Sequence, residues 1–88
     1  MAESKIQKQI IDYLESKGYY VVKVILANKR GVPDILFCKD GMFNAIEVKD
    51  TGKSKNVTEL QKHHINLIQR SGGFAMVADS LELVKQYF

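Results

Sequence analysis

Apolar residues recur along the chain in two rhythms. Between Ser4 and Lys17, Ile6, Ile10, Tyr13 and Leu14 follow the spacing of a helix face. Ser4 with Gln7 matches a capping box, Gly18 supplies a C-terminal stop, and Glu3 falls at or just before the first turn. The next segment, "YYVVKVILA", is rich in β-branched and aromatic residues and predicts a strand. After the loop "NKRGVP", the runs "DILFCK" and "FNAIEVK" predict two more strands. The "DGM" between them, with its Asp-Gly pair, predicts a hairpin.

Beyond the basic, flexible loop "DTGKSKN", a second helix is predicted from Thr58, where Thr58 and Gln61 form another capping box. Leu60, Ile65, Leu67 and Ile68 give that helix a partly apolar face, and Gly72-Gly73 ends it. "FAMVA" predicts a fourth strand, and "DSLELVKQYF" a closing helix capped by Asp79 and Glu82. The expected order is α-β-β-β-α-β-α. No internal repeat or low-complexity tract interrupts it, so residues 1–88 are expected to form one domain.

The polar residues of the hairpin break the pattern. Asp34 opens the first of its strands, and Glu47 and Lys49 close the second. Residues two apart share a strand face, so Glu47 and Lys49 point the same way as Phe43 and Ala45. Ile46 and Val48 point the other way, into packing. A turn over residues 40–42 sets Lys39 near Phe43 and brings Glu47 near the level of Ile35 and Asp34. Two carboxylates and an ammonium then converge at one end of the hairpin.

Paired carboxylates repel unless a proton or a cation sits between them. A hard divalent ion such as Mg²⁺ meets that need with oxygen ligands from carboxylates, waters and substrate phosphates. The Val48 backbone carbonyl is a further candidate ligand. Lys49 is then placed to act on an attacking water or on charge developing at phosphorus, which points to metal-assisted phosphodiester hydrolysis.

Charge adds a substrate to this picture. The net charge of +3 is modest, but its distribution is uneven. Lys29 and Arg30 precede Pro33-Asp34, and Lys53, Lys55 and Lys62 follow Lys49. These are candidate phosphate contacts, which add affinity without sequence specificity. Asp50 reads more readily as an ordinary polar residue than as a support for the site. Tyr19 and Tyr20 read as core and strand residues rather than base-stacking platforms. His63 and His64 do not read as a zinc site: adjacent histidines point to different helix faces and have no cysteine partners at ligand spacing.

The motifs "GVPD", "EVK", Gln61 and "SGGFAMV" stand in that order along the chain. Together they resemble the PD-(D/E)XK nuclease signature, and within it the virus-type replication-repair nuclease (VRR-NUC) family, in its small stand-alone phage and bacterial form. The resemblance covers nearly the whole chain. It implies a restriction-endonuclease-like α/β core with a mixed central sheet flanked by helices. It implies Asp34 and Glu47 as metal ligands, Lys49 as the catalytic lysine and Gln61 reaching into the site. Glu3 is implied to contact the metal directly or through water.

The resemblance further implies a Mg²⁺-dependent endodeoxyribonuclease, with Mn²⁺ able to substitute, acting as a homodimer on branched DNA such as a Holliday junction. No small-molecule cofactor is expected. The alternatives are a flap, nick or general duplex endonuclease of the same fold, and a non-catalytic DNA-binding module. A chain of 88 residues buries only roughly 60–65% of its unfolded surface, so association would add to a marginal core. The lone Cys38, within an apolar run, reads as a small packed hydrophobe in a reducing compartment. No run approaches membrane-spanning length. The expected setting is the cytoplasm of a bacterium or a phage-infected host cell.

Overall fold

The computed structural model describes residues 1–88. Its elements are α1 (Glu3–Ser16), β1 (Tyr20–Lys23), β2 (Ile35–Lys39), β3 (Met42–Val48), α2 (Glu59–Arg70), β4 (Phe74–Ala78) and α3 (Leu81–Lys85). The strands form one sheet in the order β1-β2-β3-β4. β1, β2 and β3 pair antiparallel, and β4 returns parallel to β3 after α2 crosses over. This is the mixed α/β architecture and element order expected from the sequence.

The core lies on one face of the sheet. Ile6, Ile10 and Leu14 repeat at four-residue spacing on α1 and are fully buried. They meet Ile35 and Phe37 of β2, Ile46 and Val48 of β3, Ala78 of β4 and Val84 of α3. Each buried Ile or Leu contributes about 1.5–3 kcal/mol. Tyr19 stacks on Phe37 at 6.1 Å, which places it against this core.

The hairpin turn is one residue tighter than expected. Lys39 pairs with Met42, not Phe43, and Ile35 pairs with Ile46. Asp40 and Gly41 both have positive φ, 52° and 77°. A two-residue turn of this kind matches the twist of the flanking strands.

β1 is shorter than the nine-residue apolar run that predicts it. It pairs only with β2, and β2 begins just after Pro33-Asp34, so the ladder runs out at a bond from Val24 N–H to the Asp34 carbonyl. Ile25 and Leu26 continue into an exposed loop. The α1 capping box does not form. The helix starts at Glu3 behind Ala2, which has no side chain to cap it. At α3 the N-cap is Ser80, whose Oγ accepts from Leu83 N–H, while Asp79 accepts from Gly52 N–H.

The second sheet face is only partly covered. α2 packs on β3 and β4, leaving β1 and β2 bare on that side. Cys38 is therefore exposed, contrary to its apolar context. No helix is long and apolar enough to cross a membrane.

Candidate active site

The site forms where β2 begins, β3 ends and α2 starts. The β2–β3 register carried one step beyond Ile35–Ile46 sets Asp34 across from Glu47. Asp34 is further fixed by Val48 N–H, which donates to its Oδ2 at 2.7 Å. Pro33, fully buried, anchors the chain just before it. Gly31 has φ of +84°, and a Cβ there would stand 2.8 Å from Leu60 Cγ on α2. Only glycine permits this close approach, so the "GVPD" loop lies flat against the first turn of α2.

Glu47 and Lys49 share the face beneath α2, as alternation predicts. Both are buried, with Glu47 4% exposed and Lys49 9%. Ile46 and Val48 face the core. The Lys49 ammonium stands 3.9 Å from Glu47 Oε2 and donates to Gln61 Oε1 at 3.0 Å. Gln61 Nε2 donates to Glu47 Oε2 at 3.2 Å. Gln61 also completes the α2 capping box, its Oε1 accepting from Thr58 N–H and its own N–H donating to Thr58 Oγ1. The cap and the site are thus one hydrogen-bonded unit.

Burial and Asp34 together set the electrostatics of Glu47. The Glu47 carboxyl is pushed up from 4.5 to about 8. Burial is the largest cause, followed by the charge of Asp34 and a hydrogen bond with it. Lys49 pulls the other way, and Glu3 adds a further upward push. The donor set fits a hard divalent cation: carboxylate oxygens from two residues set across from each other, whose mutual repulsion a cation would relieve.

Glu3, half-buried at the start of α1, acts on Glu47 through its charge. Nowhere do three or more His, Cys, Asp or Glu side chains converge into one metal-binding group. Asp34 and Glu47 are thus the pair of acids the fold sets across from each other, with Glu3 near enough to act on Glu47 through its charge. His63 and His64 stand 6.1 Å apart between ring centres, nearly perpendicular, and belong to no such group.

Lys29, Arg30, Lys53, Lys55 and Lys62 are all exposed. Lys62 pairs with Glu59 at 3.4 Å, while the other four have no carboxylate partner. The loop after Lys49 is tied down rather than free. Thr51 N–H donates to the Met1 carbonyl, Gly52 N–H to Asp79 Oδ2 and Lys53 N–H to the Asp50 carbonyl.

Asp50, an ordinary polar residue in its sequence context, makes a long-range contact beside the site. Asp50 Oδ1 accepts from the Glu3 N–H at 2.7 Å. The only local signal was its adjacency to Lys49, because its partner lies 47 residues away.

A family model described as archaeal Holliday junction resolvase (Hjc) matches residues 3–84. Among solved structures, one titled "VRR_NUC domain" superposes with a TM-score of 0.81 at 24% identity, covering 98% of this chain and 97% of that chain. Another, titled "VRR_NUC domain protein", gives 0.77 at 20% identity over 99% and 88% of the two chains. At these identities the likeness is one of fold, and it agrees with the nuclease core read from the motifs. No curated protein matches the chain.

Proposed function

The chain belongs to the archaeal Holliday junction resolvase family, and from that membership we propose that it is a metal-dependent endonuclease that cuts branched DNA as a homodimer. The observation that carries the reading is the joined set of Asp34, Glu47, Lys49 and Gln61 at one end of the hairpin. A domain that only bound DNA would gain nothing from a buried Glu47 and a half-buried Asp34 set together near a phosphate backbone.

Asp34 and Glu47 would hold Mg²⁺ or Mn²⁺, with the Val48 carbonyl as a further ligand and Glu3 contributing directly or through a water. When bound, the cation supplies Lewis-acid charge to the scissile phosphate and makes a bound water more acidic. Asp34 is held in place by the Val48 N–H, so its free oxygen keeps a fixed direction. Glu47 must give up its proton for the pair to act. Lys49, aimed by Gln61, offers an ammonium to the attacking water or to the charge developing at phosphorus. Its burial beside Glu47 and Gln61 strengthens that interaction. Lys29, Arg30, Lys53 and Lys55 would steer the phosphate backbone toward this end of the sheet.

The bare sheet face supports the dimer. Tyr20 and Val22 of β1, Cys38 of β2 and Phe43 of β3 are exposed on one side of the sheet, where the pairing sets Tyr20 across from Cys38 and Cys38 across from Phe43. Ile25 and Leu26 stand beyond β1, 88% and 92% exposed. Contiguous apolar surface of this kind marks an interaction site. Alternation along β2 places Asp34 on the same face as Leu36 and Cys38, so self-association there would join two copies of the site in one assembly. A four-way junction needs two such sites, one for each symmetric nick.

The test is cleavage of an end-labelled four-way junction and its matching linear duplex, with Mg²⁺, with Mn²⁺ and with EDTA, beside Lys49→Ala protein. Paired nicks in the junction alone, lost with EDTA and with the variant, are expected. Equal cutting of junction, flap and linear DNA would replace the junction preference with a general nuclease. DNA bound but intact in every lane would leave a binding module.

A further inference from the structure

We propose that Asp50 is a positioning residue for the metal side of the site: its carboxylate holds the first turn of α1, and so sets where the Glu3 side chain stands relative to Glu47. The inference rests on the nuclease reading above and assigns a role to a residue outside the Asp34, Glu47, Lys49 and Gln61 set.

The start of α1 has no cap of its own. Ala2 occupies the N-cap position and offers no side-chain acceptor. The first N–H groups of a helix have no partner within it, and an uncapped end frays. Here the Glu3 N–H is taken by Asp50 Oδ1 at 2.7 Å. The contact is short, and the acceptor's negative charge stands at the positive end of the helix dipole. One residue further on, Thr51 N–H donates to the Met1 carbonyl at 3.1 Å. Residues 50 and 51 therefore grip the chain on both sides of Ala2.

This grip is referenced to the active strand. Asp50 follows Lys49, whose own N–H is bonded to the Ala78 carbonyl of β4 at 2.9 Å. The loop behind it is fixed by Gly52 N–H on Asp79 Oδ2 at 3.0 Å and by Lys53 N–H on the Asp50 carbonyl at 2.9 Å. Asp50 is exposed and makes no salt bridge, so its carboxylate is engaged by the Glu3 N–H and by no cation. Glu3, for its part, is half-buried and near enough for its charge to act on Glu47. A carboxylate that serves a cation, directly or through a water, needs the segment that carries it held still. A frayed first turn is not held still.

The experiment compares wild-type, Asp50→Ala, Asp50→Asn, Glu3→Gln and Glu3→Gln/Asp50→Ala proteins, with Asp34→Ala as a control. Mn²⁺ affinity is measured by calorimetry without DNA, alongside the melting temperature and the Mn²⁺ concentration that half-saturates junction cleavage. Asp50→Ala is expected to weaken Mn²⁺ binding about tenfold, in the range seen when a group supporting a metal ligand is removed. Asp50→Asn retains an oxygen acceptor for the Glu3 N–H and is expected within about threefold of wild type. In the Glu3→Gln background, Asp50→Ala should cost no further affinity, because its effect passes through Glu3.

Unchanged affinity in Asp50→Ala, with Asp34→Ala abolishing binding, would overturn the inference and leave the nuclease reading intact. So would an equal loss from Asp50→Ala with and without the Glu3 carboxylate. Wild-type protein that binds no Mn²⁺ at all would overturn the metal-dependent reading and the inference with it.

Discussion

The Lys49 ammonium donates to the same Gln61 oxygen that receives the Thr58 N–H at the start of α2. A helix cap, ordinarily a local device, is here the support of a buried charged side chain. Gln61→Ala should remove the support and half of the capping box together. We expect a loss of about 1 kcal/mol of stability and a fall in cleavage rate of about one to two orders of magnitude. Thr58→Ala breaks the cap from its other side without touching the site. It should lose a similar amount of stability and retain most of the rate. Melting curves and single-turnover cleavage of the two variants, side by side, decide the matter; equal rate losses would make Gln61 a purely structural residue.

Glu47 makes stability depend on pH in an unusual direction. Its carboxyl is raised from 4.5 to about 8 in the folded chain, chiefly by burial and then by Asp34. Between those values the folded protein holds a proton that the unfolded chain has released. The associated stability is complete below about 4.5 and is lost as the pH rises through about 8. In EDTA, the melting temperature should therefore fall from mildly acidic to mildly alkaline pH, by an amount on the order of a few kcal/mol in free energy. Glu47→Gln should flatten this dependence.

The same proton must leave when a cation enters. Mn²⁺ binding should release close to one proton at neutral pH, and calorimetry in buffers of different ionisation enthalpy would register it. Affinity should rise with pH and level off above about 8. Binding with no proton release would mean that the cation sits elsewhere.

Lys29, Arg30, Lys53 and Lys55 have no carboxylate partners, whereas Lys62 is paired with Glu59. If Lys53 and Lys55 each meet a phosphate, the Lys53→Ala/Lys55→Ala variant should reduce the slope of log affinity against log salt by about 1.8 on duplex arms. Lys62→Ala should change it less. Junction binding titrated in EDTA at several salt concentrations gives both slopes, and unchanged slopes would remove these lysines from the interface.

A charge on the bare sheet face, or on the exposed loop beyond β1, should separate the copies. Phe43→Glu and Leu26→Asp both place a carboxylate on exposed apolar surface, where the fold does not need the side chain. Each should sediment as a monomer and nick the junction on one strand at a time. A wild-type protein that is monomeric at micromolar concentration, with and without junction, would remove this face from the assembly.

The candidate site and the order of elements were legible in the residues themselves. Asp34, Glu47 and Lys49 broke an apolar pattern at strand ends, and the α2 capping box stood complete in "TELQ". Such signals survive because they are local: alternation, helical spacing and cap geometry act over two to four residues. The Asp-Gly hairpin was legible for the same reason, although its register was one residue off, because two positive φ values in succession close the turn with Asp40 and Gly41 alone.

What only the tertiary structure decided depended on contacts far apart in sequence. Ser4 and Gln7 offered a local cap for α1, yet the helix begins a residue earlier and takes its acceptor from Asp50. Cys38 and Tyr20 looked like core residues, yet α2 reaches only β3 and β4 and leaves them uncovered. β1 stopped short of its apolar run because its partner strand ended at Asp34. Apolar character states a preference for burial, but which faces are covered is settled by where the other elements pack. The candidate site residues stood out in the sequence; packing set which neighbours hold them in place.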